Sequence, residues 1–124
     1  WEAMMFAHHY KLDNFCAIID NNGLQIDGRV ADVMSPYPIG DKLRAFGFHV
    51  VEIDGHDFNQ IEAAFAQAKE TKEVPTAIVM KTTKGKGVSF MEDKAGWHGK
   101  APNDEEYETA MTELRAQLAE VEGK

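Results

Sequence analysis

The stretch FCAIIDNNG, which occupies residues 15–23, decides the class of fold. Its apolar run, Phe15–Ile19, has the length of a strand and is typical of a strand buried on both faces, as in a parallel sheet. The polar residues that follow, Asp20 to Gly23, form a strong turn signal. The stretch therefore predicts a strand that is buried on both faces of a parallel sheet and ends in a polar loop.

The remainder of the chain alternates predicted helices with predicted strands. Further strands are expected at Phe48–Ile53 and Thr76–Thr82. Gly47 is expected to end one helix and Asp57 to cap the next. The helices are expected around residues 1–12, with apolar positions at 1, 4, 5 and 12, and at residues 39–46, 58–69 and 104–121. Strands that alternate with helices predict an α/β fold, a three-layer parallel sheet flanked by helices with right-handed crossovers.

Composition limits the classes of function. A length of 124 residues suits one domain, and 44% apolar with 27% charged residues is an ordinary globular composition. The net charge of −8 argues against nucleic-acid binding, because phosphate neutralisation needs clustered lysines and arginines. No apolar run approaches the roughly 20 residues of a membrane helix, and no signal peptide is visible. We therefore expect no membrane span and a cytoplasmic protein.

The start of the chain suggests that it is incomplete. Trp1 begins a helical pattern, and no capping residue precedes it. Three strands are also few for a parallel sheet that needs both faces covered. We therefore expect either missing upstream residues or a partner that packs against the chain.

Three loops are expected at the carboxyl ends of the strands, where open parallel sheets bind ligands. In the first, Asp20–Gly28, side-chain oxygens and backbone carbonyls could hold a hard cation such as Mg²⁺. The alternative is a turn in which Asn and Asp side chains bond to their own backbone. An EF-hand is excluded, because Leu24 and Gln25 stand at its fifth and sixth positions.

The other two loops contain histidines. Asp54–Asp57 reads mainly as a strand-to-helix turn, and its His56 is expected to be solvent-exposed. Thr82–Gly99 has two glycines but lacks the spacing of a P-loop. Its His98 could donate to a phosphate oxygen or move protons near neutral pH.

An ordered series of motifs resembles the thiamine-diphosphate-binding part of transketolases. The resemblance covers nearly the whole chain. Its pieces are Trp1-Glu2-Ala3, Leu12–Phe15, Asp20-Asn21-Asn22, Asp27-Gly28, Ala45–Val50, Asp54–Asp57, Pro75-Thr76, Lys81-Thr82, Gly85-Lys86-Gly87 and His98–Pro102. The family's commonest form of the last piece is His-Gly-Ala-Pro, so Lys100 is an insertion. This insertion resembles the two-polypeptide version of the enzyme, in which the two halves are separate subunits.

The resemblance also implies what is absent. The family's Gly-Asp-Gly, whose aspartate is a metal ligand, is expected upstream of Trp1. The domain that carries the glutamate activating the cofactor's aminopyrimidine ring is also missing. Residues 1–124 are therefore expected to be the C-terminal part of a thiamine-diphosphate-binding, Rossmann-like domain, inactive by itself.

The resemblance implies roles for four residues. Asn22 is expected to bind the cofactor's Mg²⁺ (or Ca²⁺) through its side-chain oxygen, and Leu24 through its backbone carbonyl. His98 is expected to contact both the diphosphate and the sugar, as a cofactor-binding and catalytic residue. Glu2 matches a buried catalytic glutamate near the dimer interface, which links two cofactor sites by proton transfer. Its alternative is an exposed acid in the first turn of a helix.

The implied reaction is transfer of a two-carbon ketol unit between sugar phosphates, as in the pentose phosphate pathway. Thiamine diphosphate and Mg²⁺ are the implied cofactors. The implied partners are a C-terminal transketolase subunit or domain, in a homodimer or an α2β2 assembly. Two alternatives stay open: an enzyme resembling 1-deoxyxylulose-5-phosphate synthase, and a non-catalytic α/β half-domain that only packs against a partner subunit.

Overall fold

A computed structural model of the chain describes residues 1–123 and divides them into two compact units. The first comprises Trp1–Asn22 and Met34–Thr82, and the second comprises Gly23–Val33 and the described residues from Thr83 onward. In chain order the elements are α1 (Glu2–His9), β1 (Cys16–Asn21), β2 (Leu24–Gln25), β3 (Gly28–Arg29), α2 (Val30–Val33), α3 (Ile39–Ala45), β4 (His49–Asp54), α4 (Phe58–Glu70), β5 (Thr76–Lys81), a 3₁₀ turn (Ala95–Trp97) and α5 (Asp104–Glu122).

The first unit is built on a parallel sheet of three strands in the order β1-β5-β4. Thr76, at the start of β5, pairs with Cys16 on one side and with His49 on the other. The parallel sheet and its alternation with helices confirm the predicted α/β architecture.

Burial within this sheet differs from the prediction. The strand buried on both faces is β5, whose residues Thr76–Val79 are all buried. By contrast, β1 lies at an edge and its Ile18 is 51% exposed. The prediction that Phe15–Ile19 forms a strand buried on both faces was therefore wrong for the described chain. An apolar run indicates the potential for burial, but it does not say which strand takes the middle position.

The principal apolar cluster lies on one face of the sheet, beneath α1 and α3. Its buried members are Ala7, Leu43, Phe48, Ala77 and Val79. Met4 and Leu12 pack against this cluster as expected. Trp1 and Met5 were predicted on the same face, but both are mainly exposed because α1 turns Met4 and Ala7 towards the sheet.

Helix α4 packs against β4 and begins at the predicted cap. The Asp57 carboxylate accepts hydrogen bonds from the backbone N–H groups of Asn59 and Gln60, at 2.9 and 3.3 Å. A hydrogen bond from the Gln60 side chain, together with the backbone ones, lowers the pKa of Asp57. The buried residues of this helix are Ala64 and Ala68, whose small side chains allow close approach.

The second unit contains a short hairpin that the sequence analysis treated as loop. Strands β2 and β3 pair in antiparallel register, with Leu24 opposite Arg29, and α2 follows directly. Arg29 also forms an ion pair with Asp93, which ties the hairpin to the segment after Thr83. Two-residue strands are too short to show the alternation by which strands are recognised.

A capping box starts α5. The Asn103 side chain accepts from the N–H of Glu106, and the Glu106 carboxylate accepts from the N–H of Asn103, both at 2.9 Å. Lys100 lies 2.6 Å from Glu106 and 4.1 Å above the Trp97 ring. The inserted lysine therefore connects the loop before α5 to the first turn of the helix.

None of the helices in residues 1–123 combines the length and the apolar character that a membrane crossing requires.

Replacement of Gly47 by alanine should destabilise the first unit. Gly47 follows α3 with φ of +85°, a conformation that costs an L-residue about 1–2 kcal/mol. A Cβ there would also lie 2.3 Å from the His8 ring, which would have to shift. We expect Gly47→Ala to lower the free energy of unfolding by about 1–2 kcal/mol in urea titrations. Gly96→Ala is the matched control, since its Cβ would meet open space. Equal effects of the two changes would contradict this account.

The first turn of α5 should carry a pH-dependent contribution to stability. Hydrogen bonds from Lys100 and from the Asn103 N–H lower the pKa of Glu106 below its ordinary 4.5. A depressed pKa gives stability that is present above the unfolded-state pKa and lost as the pH falls through the folded-state pKa. Glu106→Gln should therefore lower the melting temperature at about pH 7 but have little effect at about pH 3. Glu105→Gln on the same turn is the control, and a difference that does not vary with pH would contradict the assignment.

Candidate functional site

The carboxyl ends of the three parallel strands meet at one edge of the sheet. Lys81, the last residue of β5, pairs with Asn21 of β1 and with Asp54 of β4. The residues that follow each strand, Asn22, Thr82 and Gly55, therefore come together at this edge. Such an edge is where open parallel sheets bind their ligands.

Hydrogen bonds hold the strand ends in place. The Thr82 hydroxyl donates to the Asp20 carboxylate, and the Thr82 N–H donates to the Asn21 carbonyl at 3.5 Å. The Gly55 N–H donates to the Lys81 carbonyl at 2.8 Å. These bonds extend the sheet's pairing beyond its strands and limit the movement of the loops that start there.

Tyr37 also reaches this edge, and the sequence analysis did not identify it. Its hydroxyl donates to the Asn21 side-chain oxygen at 2.9 Å. Asn21 immediately precedes Asn22, so this bond fixes the residue beside the predicted metal ligand. No spacing rule connects residues 21 and 37, and the only sequence signal was a polar aromatic residue in a proline-flanked loop.

At the turn after β4, the backbone of Gly55 lies close to the end of β5 and to Thr82. A Cβ on Gly55 would lie 2.5 Å from the Thr82 methyl group and 2.9 Å from the Met80 Cβ. The Asp54 carboxylate accepts from the His56 N–H at 2.9 Å, and the His56 side chain is exposed. These contacts agree with the expectation that Asp54–Asp57 is mainly a strand-to-helix turn.

The two predicted metal ligands lie at the end of β1 and just beyond it. Asn22 directly follows β1 and is partly buried, and Leu24 opens β2. An amide oxygen and a backbone carbonyl are hard donors of the kind that Mg²⁺ prefers. Among residues 1–123 no group of three or more His, Cys, Asp or Glu side chains could hold a metal ion. Asn22 and Leu24 therefore offer oxygen donors of the type that Mg²⁺ binds. Other groups would have to supply the remaining oxygens of an octahedral site.

His98 lies in the second unit on a fixed turn. Its N–H donates to the Ala95 carbonyl at 3.0 Å, which closes the 3₁₀ turn. The preceding Trp97 donates through Nε1 to the Phe90 carbonyl at 3.1 Å and packs against the Phe90 ring. The His98 side chain is exposed. The turn therefore fixes its backbone and leaves the imidazole accessible to a ligand.

Glu2 is the first residue of α1, and its side chain is 92% exposed. Within this chain it matches the alternative of a first-turn acid near the positive end of the helix dipole. For Glu2 to be buried, as the resemblance implies, another surface would have to cover α1. The exposed apolar side chains of Met5, Phe6 and Tyr10 on the same helix are compatible with such a surface.

Cys16 has the environment expected of a structural thiol. It is partly buried at the start of β1, and burial raises the pKa of its thiol. A raised pKa disfavours the thiolate, which is the reactive form. Cys16 therefore acts as a small apolar residue.

Comparison with known proteins agrees with the fold and the motif series. Residues 1–120 match the family described as "Transketolase, thiamine diphosphate binding domain". The chain is 42% identical over 122 residues to an apulose-4-phosphate transketolase subunit of Phocaeicola vulgatus, covering 98% of this chain and 43% of that protein. It is 43% identical over 120 residues to human transketolase, covering 95% of this chain and 18% of that protein.

A solved structure shows the same arrangement of elements. The transketolase from Campylobacter jejuni superimposes with a TM-score of 0.83 at 35% identity, covering 90% of this chain and 17% of that one. The chain thus spans less than half the length of these relatives. Because the family matches almost the full chain, in sequence and in fold, the chain belongs to the transketolase family and matches its thiamine-diphosphate-binding domain.

Proposed function

We propose that this chain is part of a transketolase that moves a two-carbon ketol unit between sugar phosphates, using thiamine diphosphate and Mg²⁺. The observation that carries the proposal is the match of residues 1–120 to the family's thiamine-diphosphate-binding domain. The polar loops at the carboxyl edge of the sheet support it, since this edge is the expected ligand position. The names of the similar proteins also favour transketolase over the 1-deoxyxylulose-5-phosphate synthase alternative.

In this proposal, the chain supplies two of the oxygen ligands of the metal ion. Asn22 would bind through its side-chain oxygen, and Leu24, two residues later, through its main-chain carbonyl. An apolar residue suits the second position because only its backbone is used. Bound thiamine diphosphate supplies the nucleophile and the electron sink of the reaction. The contribution of Asn22 and Leu24 is to hold the cofactor's diphosphate through the ion.

His98 would act on the diphosphate and on the sugar. Its exposed imidazole can donate a hydrogen bond to a phosphate or hydroxyl oxygen, or accept a proton from one. The 3₁₀ turn holds the His98 backbone, which lowers the entropic cost of orienting the ring. Glu2 would pass a proton between two cofactor sites only after a partner surface had covered α1.

We propose that the chain works with a separate C-terminal transketolase subunit, in a homodimer or an α2β2 assembly. Two similar proteins are themselves named as transketolase subunits. One is the apulose-4-phosphate transketolase subunit of Phocaeicola vulgatus, and the other is the 6-deoxy-6-sulfo-D-fructose transketolase subunit SqwG of Clostridium sp., which is 42% identical over 119 residues. Residues 1–124 contain no Gly-Asp-Gly sequence. The aspartate ligand of the family motif would therefore have to come from outside this stretch.

The purified 124-residue chain should show no ketol transfer by itself. Its two proposed metal ligands leave the ion incompletely coordinated, and the family's ring-activating glutamate is not among its residues. Coupled assays with a ketose phosphate donor and an aldose phosphate acceptor measure this, with pyruvate as an alternative donor. Turnover by the chain alone would contradict the prediction. Pyruvate consumption by the complete assembly would instead favour the synthase alternative.

Asn22→Ala should weaken cofactor binding in the complete enzyme. Loss of the amide oxygen removes one proposed Mg²⁺ ligand, so Mg²⁺-dependent affinity for thiamine diphosphate should fall by about tenfold or more in calorimetry. Asn59→Ala, a matched change of an exposed asparagine on α4, should leave the affinity unchanged. An unaltered affinity in Asn22→Ala would remove this residue from the ligand set. If the wild-type assembly binds no cofactor, the non-catalytic half-domain becomes the better interpretation.

A further inference from the structure

The hairpin of β2 and β3 directs the Leu24 carbonyl away from its partner strand. The Val30 N–H donates to the Gly23 carbonyl at 3.0 Å, so these two residues form a hydrogen-bonded pair. In an antiparallel ladder, hydrogen-bonded and non-hydrogen-bonded pairs alternate. Leu24 and Arg29 are the next pair, so their backbones do not bond to each other. The Leu24 carbonyl therefore points away from β3, as its proposed role as a metal ligand requires.

An ion pair restrains this hairpin at the residue opposite Leu24. Strands of two residues give a hairpin little rigidity of its own, because even a longer isolated hairpin is marginally stable. The Arg29 guanidinium donates through Nη1 to one oxygen of the Asp93 carboxylate at 2.9 Å, and through Nη2 to the other oxygen. Two parallel bonds of this kind fix direction as well as distance. The position of β3, and through it that of Leu24, thus depends on Asp93.

Asp93 is itself held by a closed turn of the same unit. Its N–H donates to the Lys84 carbonyl at 2.9 Å, and its φ is +57°. Aspartate is among the few residues other than glycine that adopt this left-handed conformation readily. The carboxylate of the preceding Glu92 accepts from the Gly87 N–H at 2.9 Å. The turn is therefore a fixed support for the carboxylate that Arg29 contacts.

The segment that carries Asp93 also carries His98, five residues later. The His98 N–H donates to the Ala95 carbonyl at 3.0 Å, so a hydrogen-bonded turn lies between Asp93 and His98. The ion pair therefore joins the hairpin that presents Leu24 to the segment that presents His98. Both elements belong to the second unit, and both are proposed to hold the cofactor's diphosphate or its metal ion.

We propose that Arg29 and Asp93 are positioning residues for the cofactor, and that their ion pair places the Leu24 carbonyl where it can bind the metal ion. The inference rests on the proposed function, because Leu24 is a ligand only if the chain binds thiamine diphosphate and Mg²⁺. The side chains of Arg29 and Asp93 are 54% and 44% exposed. Exposed ion pairs add little to the stability of a fold. The effect of this pair is therefore on the placement of the hairpin.

The test measures the cofactor affinity of the complete enzyme with Arg29→Ala. Mg²⁺ requires nearly ideal octahedral geometry, whereas Ca²⁺ accepts flexible coordination. We expect Arg29→Ala to weaken the Mg²⁺-dependent binding of thiamine diphosphate by about tenfold in calorimetry. Binding that depends on Ca²⁺ should weaken by less than about threefold. A smaller fraction of folded protein would lower the number of sites equally with both ions, so the change in selectivity distinguishes positioning from a general structural effect.

Arg44→Ala is the matched control. Arg44 is 47% exposed and forms ion pairs with Asp41 and Glu52 at 2.9 and 2.7 Å, but it lies on α3 in the first unit. Its removal should change the affinity with either ion by less than about twofold. Equal effects of Arg29→Ala and Arg44→Ala would overturn the proposal. Equal losses with Mg²⁺ and Ca²⁺ in Arg29→Ala would also overturn it.

A double-mutant cycle tests whether Arg29 and Asp93 act as a pair. Asp93→Asn removes the charge and keeps a residue that tolerates the left-handed backbone. If Arg29 acts through Asp93, the double variant should bind the cofactor with Mg²⁺ no more weakly than Arg29→Ala alone. Losses that add in the double variant would show that the two residues act independently, which the proposal excludes.

The wild-type measurement separates failure of this inference from failure of the proposed function. If the wild-type enzyme binds no thiamine diphosphate with either ion, the proposed function fails and the inference fails with it. If the wild type binds the cofactor and Arg29→Ala binds it equally well with Mg²⁺, the proposed function stands and the inference alone is refuted. A loss in Arg29→Ala that is larger with Mg²⁺ than with Ca²⁺ supports both.

Discussion

The structure depends on the in-register parallel pairing of β5 with a strand on each side. Four successive residues of β5 are buried, so its apolar surface is removed from water on both faces of the sheet. The same pairing sets Asn21 and Asp54 opposite Lys81, and thereby brings three loops to one edge. A shift of register would misplace the ends of all three strands at once. The stability of the sheet and the placement of the candidate site therefore have the same origin.

The elements themselves were largely predictable from local signals. Asp57 and Gly47 mark helix ends through backbone chemistry that acts over a few residues. The hairpin of β2 and β3 was missed because strands of two residues show no period. The exposure of β1 differs from the predicted burial for a different reason, since an apolar run does not specify how many neighbours a strand has. That information resides in the order of the strands, which is not local.

The candidate site was predictable only in part. The polar loop after β1 indicated a possible cation site, and the family resemblance was needed to single out Asn22, Leu24, His98 and Glu2. Tyr37 and the bond between Thr82 and Asp20 depend on contacts across 16 and 62 residues, and no motif spacing encodes them. Lys100 looked like a departure from the family pattern, and the structure gives it contacts with Trp97 and Glu106. An insertion in a motif can thus stabilise the loop that contains it.

The pairing of β1 with β5 also affects how the chain can fold. Cys16 and Thr76 are 60 positions apart, whereas His49 and Thr76 are 27 apart. Closing the longer loop costs about 0.7 kcal/mol more in chain entropy, because this cost rises with the logarithm of loop length. The β4-α4-β5 segment is therefore the folding nucleus with the lower cost in chain entropy, and β1 then pairs with the open edge of β5. Pairing of β1, the strand that leads into Asn22, thus has the highest cost in chain entropy of the three strands. During synthesis, β1 cannot pair until the chain has been extended as far as β5.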